Sequence, residues 1–169
     1  MLINILKFAF YMLNNRLTPS QAWDKIKYYC AYQERSHQEV KDKLYKFGLR
    51  SSDVDELLSR LIEENYLNEE RFARMFVGGK FRMKHWGRIK IESELKMKRI
   101  SPYNIRIAMK EIEDEAYQAI LEKLTEAKWI SLKGEQYIVR QVKTLRYMAQ
   151  KGYETNLVSA FIQKLRGNA

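Results

Sequence analysis

The chain has 169 residues, of which 31 are Lys or Arg and 21 are Asp or Glu, so its formal net charge is +10. A hydrophobic content of 46% is enough for a buried core, and a charged content of 31% with only seven Gly and two Pro favours an all-α fold. The positive charge indicates a polyanionic partner, nucleic acid before an anionic membrane surface, and a basic protein without such a partner is the alternative.

Two features bear on where the protein resides. Residues Met1 to Leu13 are mostly apolar but contain Lys7, and they are too short to span a bilayer and do not follow the pattern of a signal peptide. We expect a short helix packed on the body or residues upstream of the natural start, with a membrane anchor as the weaker alternative. Cys30 is the only cysteine, which excludes an intrachain disulfide and fits a cytoplasmic location. We expect a packed thiol there rather than a nucleophile.

Three helices are predicted between residues 18 and 66. Thr18 and Ser36 are each followed three positions later by Gln or Glu, the spacing of a capping box at a helix start. Gly48 is expected to stop the second helix, and Asn65 is expected in a left-handed conformation after the third. The residues predicted to face inward are Ala22, Trp23, Ile26, Tyr29, Cys30, Val40, Leu44, Phe47, Val54, Leu57, Leu58 and Leu61.

A longer helix is predicted from Asn68 to Lys84. Asn68 is the expected N-cap, and Glu69 and Glu70 lie in the first turn, where carboxylates favour the positive end of the helix dipole. Apolar residues then recur at helical spacing and predict one buried face, made of Phe72, Met75, Phe76, Gly79 and Met83. A Trp86-Gly87 break should end this helix.

The three-helix pattern recurs twice more along the chain. Val54, Leu58 and Leu61 align with Ile105, Met109 and Ile112, and these align with Val158, Ile162 and Leu165. The period is too long for tetratricopeptide or ankyrin repeats. In the third round, Tyr117, Ile120, Leu121, Leu124, Ile138, Val142, Leu145 and Met148 are predicted to face inward. We therefore predict three tandem three-helix, helix-turn-helix-like repeats in an elongated curved array, divided into an N-terminal extension 1–17 and repeats 18–66, 67–113 and 114–169.

Positive charge is concentrated in the later two repeats. Between Gly78 and Lys110 there are ten Lys or Arg and two acids, whereas Ser51 to Glu70 contains seven acids and one Arg. Cations that neutralise phosphates give salt-dependent and largely sequence-independent binding. The residues predicted to contact phosphates are Lys80, Arg82, Lys84, Arg88, Lys90, Arg99, Lys143, Arg146 and Lys151. Phe81, Trp86 and Tyr103 could stack on bases, although core packing is the favoured alternative for each.

No catalytic or metal-binding set is evident. His37 and His85 belong to different repeats and have no Cys or acidic ligand at metal spacing. Gly78-Gly79 lacks the lysine and serine of a phosphate-binding loop, and we expect close helix packing there. We therefore predict a protein that is not an enzyme and that needs no cofactor or metal.

Three sequence blocks resemble the RecX family of regulatory proteins. The first runs from Arg35 through His37 to Leu44 and is followed by Gly48; Gln38 departs from the usual Ser of the family. The second contains Leu67 and Arg71-Phe72-Ala73, and the third runs from Gly87 to Leu95. The resemblance covers about residues 20–165, and residues 1–17 have no counterpart in it. It implies three tandem three-helix repeats, binding to the RecA recombinase and its filament on DNA, and modulation, usually inhibition, of recombinase and coprotease activities in recombination, repair and the SOS response.

Our hypothesis is that a monomer lies in the groove of the filament, with basic faces on DNA phosphates and other faces on recombinase subunits. We expect Phe72 in the core and Arg71 paired locally with an acid, and most residues of the family blocks to be structural. One alternative is a helix-turn-helix DNA-binding protein or transcription regulator, which predicts sequence preference and a two-fold dimer. A helical scaffold without DNA binding is the other. The acidic helix near Asp53 should not enter a DNA groove in either case.

Overall fold

The computed structural model describes residues 16–167, and within this range every regular element is helical. The expectation of a short apolar helix at residues 1–15 lies outside the described residues. The helices are α1 (Pro19–Tyr32), α2 (His37–Lys46), α3 (Ser51–Glu63), α4 (Glu69–Lys84), α5 (Arg88–Met97), α6 (Pro102–Ala108), α7 (Asp114–Ser131), α8 (Tyr137–Lys151) and α9 (Thr155–Gly167), with a 3₁₀ turn at Met109–Glu111. The all-α fold class is confirmed.

The predicted helix starts and stops are confirmed by the hydrogen bonds at the helix ends. Thr18 and Ser36 form complete capping boxes. The side-chain oxygen of Asn68 accepts a hydrogen bond from the backbone N–H of Arg71 at 2.9 Å, as expected for an N-cap. The left-handed residues that end helices include Gly48, Asn65 and Gly152.

The chain forms two compact units, and the division falls within α4, between Phe72 and Ala73. In the first unit α1, α2 and α3 surround a core that consists of Ala22, Trp23, Ile26, Cys30, Val40, Leu44, Leu49, Val54, Leu57, Leu61 and Leu67. Trp23 meets Tyr66 edge to face at 6.5 Å between ring centroids. The Arg60 guanidinium covers the Trp23 ring at 3.8 Å, so a charged side chain shields this edge of the core from water.

The second unit contains the rest of α4 and the helices from α5 to α9. Its core includes a row of three aromatic rings, in which Tyr117 lies 6.0 Å from Phe81 and 5.2 Å from Tyr153. The Tyr117 hydroxyl donates to the Glu154 carboxylate at 2.5 Å, and the Tyr153 hydroxyl donates to the backbone carbonyl of His85 at 3.2 Å. Burial raises the pKa of both phenols well above the usual range. These bonds tie α4, α7 and the start of α9 to one buried centre.

The buried face of α4 differs from the predicted one. Ala73, Val77 and Phe81 are buried, whereas Met75 and Met83 are exposed and Gly79 faces open space. The prediction is confirmed for Phe72, which is buried, and was wrong for Met75, Gly79 and Met83. It failed there because α4 carries apolar residues on two sides, so two stripes satisfy the same helical period. The close packing expected at Gly78-Gly79 is limited to Gly78, where the contacting group is the Arg82 side chain.

The inward face predicted for α8 was also wrong in part. Ile138 and Val142 are exposed, and the buried residues of this helix are Thr144 and Met148. The Thr144 hydroxyl donates to the Arg140 carbonyl at 2.8 Å, and this internal bond allows a polar side chain to occupy the buried side.

Candidate functional site

Three lysines and two aromatic rings alternate along α4 and α5 of the second unit. The Lys80 ammonium lies 5.2 Å from the Phe76 ring centroid and 4.8 Å from that of Trp86. The Lys90 ammonium lies 4.4 Å from the Trp86 centroid, and that of Lys98 lies 5.7 Å from the Phe76 centroid. We call these five residues the lysine–aromatic row.

Helical spacing explains how the row is assembled. Phe76 and Lys80 are four residues apart on α4, so they lie on one helix face. Lys90 is in the first turn of α5, and Lys98 is the residue that caps its C-terminal end. Trp86 lies between the two helices, directly after His85, whose φ of 51° turns the chain. The rings stabilise the ammonium groups by about 0.5–1 kcal/mol each at exposed sites, and all five side chains remain partly accessible. The row therefore presents positioned cations to solvent.

A contact between two glycines joins this row to the C-terminal end of α8. The Gly87 backbone N–H donates to the Lys151 carbonyl at 2.7 Å, and that of Ile89 donates to the Gly152 carbonyl at 3.1 Å. The Lys90 ammonium also donates to the Gln150 carbonyl at 3.4 Å. The free N–H groups at the start of α5 thus satisfy free carbonyls at the end of α8. Basic segments that are 60 residues apart in sequence become neighbours.

A second aromatic ring is flanked by lysines on α7 and α8. The ammonium groups of Lys128 and Lys151 lie 5.5 Å and 5.4 Å from the Tyr147 ring centroid. Lys143 instead pairs with Glu135 at 2.5 Å, which neutralises much of its charge locally. Arg146 is exposed. Of the three predicted residues in this region, Lys151 is placed beside the row by the glycine contact.

The remaining predicted cations divide between structural and exposed positions. The Arg88 guanidinium lies 4.2 Å from the Tyr117 ring centroid and pairs with Asp114 at 2.5 Å, and the side chain is 30% exposed. This arrangement is typical of a residue that covers the core. The other members of the predicted set, Arg82, Lys84 and Arg99, are exposed.

The aromatic residues were only partly identified from sequence. Phe81 lies in the core, as expected from the favoured alternative of core packing. Trp86 is partly exposed and Tyr103 is exposed. Sequence reasoning missed Phe76, which it placed in the buried face, and Tyr147. The signal that could have found Phe76 is the spacing of four residues to Lys80.

The residues of the family blocks are mainly structural. The Arg71 guanidinium pairs with Glu34 and donates to the side-chain and backbone oxygens of Asn65 at 2.9 Å and 3.0 Å. Leu44, Leu67, Phe72 and Ala73 are buried, and Gly48 has a φ of 81° and lies against Arg16. His37 is partly buried in the first turn of α2. Arg71 pairs with an acid as expected, but the expectation that the pairing is local was wrong, because Glu34 is 37 residues away in sequence and is brought close by packing.

The described residues contain neither a candidate metal site nor a candidate membrane-spanning helix. Between residues 16 and 167 there is no group of three or more His, Cys, Asp or Glu side chains that could hold a metal ion. None of the helices in that range is long and apolar enough to cross a membrane.

Comparison with known proteins points to one family. The family model described as "RecX, second three-helix domain" matches residues 68–109. A relative from Clostridium perfringens (strain SM101) is 31% identical over 79% of this chain, and one from Prosthecochloris aestuarii is 28% identical over 83% of it. Both are named "Regulatory protein RecX". These matches support assignment of the chain to the RecX family.

Relatives and solved RecX structures define how far this likeness extends. A RecX relative from Oceanobacillus iheyensis is 26% identical over 91% of this chain. The chain spans only 57% of that relative and 63% of the Clostridium perfringens one, but 90% of the Prosthecochloris aestuarii one. The crystal structure of RecX from Lactobacillus salivarius matches 88% of this chain and 96% of its own, with a TM-score of 0.78 and 22% identity. The shared fold is the RecX fold of three-helix repeats, and the family is one of regulatory proteins.

The lysine–aromatic row lies entirely within the segment that the RecX model matches. All five of its residues fall between positions 68 and 109. The row therefore lies in the part of the chain that is similar to the second three-helix domain of RecX.

Proposed function

We propose that this RecX family member regulates the RecA recombinase by binding its filament on DNA, and that the lysine–aromatic row contacts the DNA phosphates. The observation that carries this proposal is the alternation of three ammonium groups with two aromatic rings on a partly exposed surface. Cations held on rings lose less side-chain freedom when a phosphate binds, because their positions are already restricted.

The charge pattern supports a long polyanion over a small ligand. The row continues through the Gly87–Gly152 contact to Lys151 and its neighbours on α7 and α8. A continuous set of phosphates can engage such a surface and release counterions from each contact. We propose that binding is inhibitory, that it takes place in the cytoplasm, and that the binding species is a monomer.

A sequence-specific helix-turn-helix reader remains the alternative, and it places its contacts elsewhere. It would use the start of α6, where Tyr103 is exposed, rather than α4 and α5. Binding that discriminates between DNA sequences and depends on Tyr103 would favour this alternative.

The test is co-sedimentation with RecA filaments, compared with binding to the same bare oligonucleotide over a salt series. The variant is Lys80→Gln with Lys90→Gln, and the control is Lys25→Gln with Lys46→Gln, which removes the same charge from exposed positions of the first unit. We expect the variant to bind DNA more weakly, with the slope of log K against log salt reduced by about 0.7 per lost phosphate contact. An unchanged slope in the variant, or an equal loss in the control, would contradict the proposed role of the row.

A further inference from the structure

One face of α4 is apolar but is not covered by the rest of the described chain. Met75 is 57% exposed and Met83 is 79% exposed. Gly79 lies midway between them, and a side chain added there would meet nothing within 4 Å. The spacing of four residues aligns the three positions along one side of the helix. We call Met75, Gly79 and Met83 the methionine stripe.

The methionine stripe has the shape of a docking site for a helix. Gly79 leaves a gap between two long side chains, and the distance between packed helices decreases where the residues in contact are small. Methionine is flexible and polarisable, so it adapts to the surface of a partner. An exposed apolar stripe of this kind, bordered by polar residues, is typical of an interaction site.

The charges beside the stripe indicate the chemistry of the partner. Arg82 lies on one side of the stripe and is exposed, and Lys80 lies on the other side, held in the lysine–aromatic row. A helix that packed its apolar residues on the stripe would therefore place one flank against Arg82. An acidic side chain at that flank would form a charge-assisted hydrogen bond, which for arginine can be bidentate.

We propose that the methionine stripe binds an amphipathic helix with an acidic flank on the protein component of the filament. This inference rests on the proposed function and refines it, because it separates a protein-binding face of α4 from the DNA-binding row beside it. Nucleic acid fits the stripe less well, since its central positions offer no cation for a phosphate.

Gly79→Gln is the variant that tests this docking surface. It fills the gap, yet the side chain enters open space and glutamine is a better helix former than glycine, so the fold is retained. The control is Ile138→Gln, at a residue of α8 that is 72% exposed and lies outside the stripe. The probes are RecA without DNA, the assembled filament and the bare oligonucleotide. We expect Gly79→Gln to weaken binding to RecA and to the filament about tenfold and to leave oligonucleotide binding unchanged.

Several outcomes would overturn the inference. If the unmodified chain binds RecA and Gly79→Gln binds it equally well, the inference fails and the proposed function stands. If Gly79→Gln weakens oligonucleotide binding as much as RecA binding, the stripe belongs to the DNA surface. If sedimentation shows self-association that Gly79→Gln abolishes, the stripe binds a second copy through its acidic α3 instead. If the unmodified chain binds neither RecA nor its filament, the proposed function and this inference both fall.

Discussion

Replacement of Gly87 by alanine should separate the two basic segments of the second unit. The added Cβ would overlap the backbone carbonyl of Gly152, and backbone atoms cannot rotate away as a side chain can. The φ of Gly87 is −76°, which alanine adopts readily. The effect of the substitution is therefore a steric one at this contact, and the start of α5 has to move away from the end of α8.

The expected loss follows from the bonds that this movement breaks. The Gly87 and Ile89 amides donate to the carbonyls of Lys151 and Gly152 at 2.7 Å and 3.1 Å. Each bond contributes about 0.5–1.5 kcal/mol, so the free energy of unfolding should fall by about 1–3 kcal/mol. The movement should also separate Lys90 from Lys151 and weaken oligonucleotide binding.

Urea unfolding followed by circular dichroism measures the stability, and amide hydrogen exchange at Gly87 and Ile89 reports on the contact itself. Gly79→Ala is the control, because it adds the same atom in open space and should stabilise the helix by up to about 1 kcal/mol. The reasoning is refuted if Gly87→Ala unfolds at the same urea concentration as the unmodified chain and both amides stay protected.

Two further predictions concern the first unit. Arg71→Ala should lower the free energy of unfolding by about 1–3 kcal/mol, because the guanidinium joins Glu34 to Asn65. In urea titrations, Arg71→Lys should recover only part of this loss, since lysine lacks the planar guanidinium that donates several hydrogen bonds at once. Burial raises the pKa of the Cys30 thiol to about 11, so it should react slowly with Ellman's reagent at pH 8 and fully in urea. The stability that this thiol contributes is present below the unfolded pKa of 9.0 and is lost as the pH rises through about 11. The urea midpoint of Cys30→Ala should therefore fall less at alkaline pH than that of the unmodified chain. An equal fall in both proteins would contradict the raised pKa of this thiol.

Local chemistry made much of the fold predictable. The capping boxes at Thr18 and Ser36 and the left-handed stops at Gly48 and Gly152 involve residues a few positions apart, so the sequence alone specifies them. The motif around Arg71 likewise identified the family before any contact was known. Its partner Glu34 could not be assigned, because the pairing joins residues that only packing brings together.

The division of the chain into repeats 18–66, 67–113 and 114–169 stays a prediction. The clustering of positive charge after Gly78 is a property of the sequence itself. The arrangement of these charges in space cannot be read from the sequence, since Arg88 and Lys143 are paired with acids whereas Lys80 and Lys90 lie against the Trp86 ring. Charge counts treat these four cations alike, and the structure separates them by what lies next to each side chain.

The sequence by itself determined the helices, their ends, the family and the sign of the charge, because each depends on residue type or on spacing within a few turns. Tertiary structure alone decided which of two apolar sides of α4 is buried, and it placed Gly87 against Gly152. The physical reason is that a helix with two apolar stripes satisfies the same periodicity with either one inward. Only the shape of the neighbouring helices selects between them, and the stripe left outside is the one we propose binds a partner.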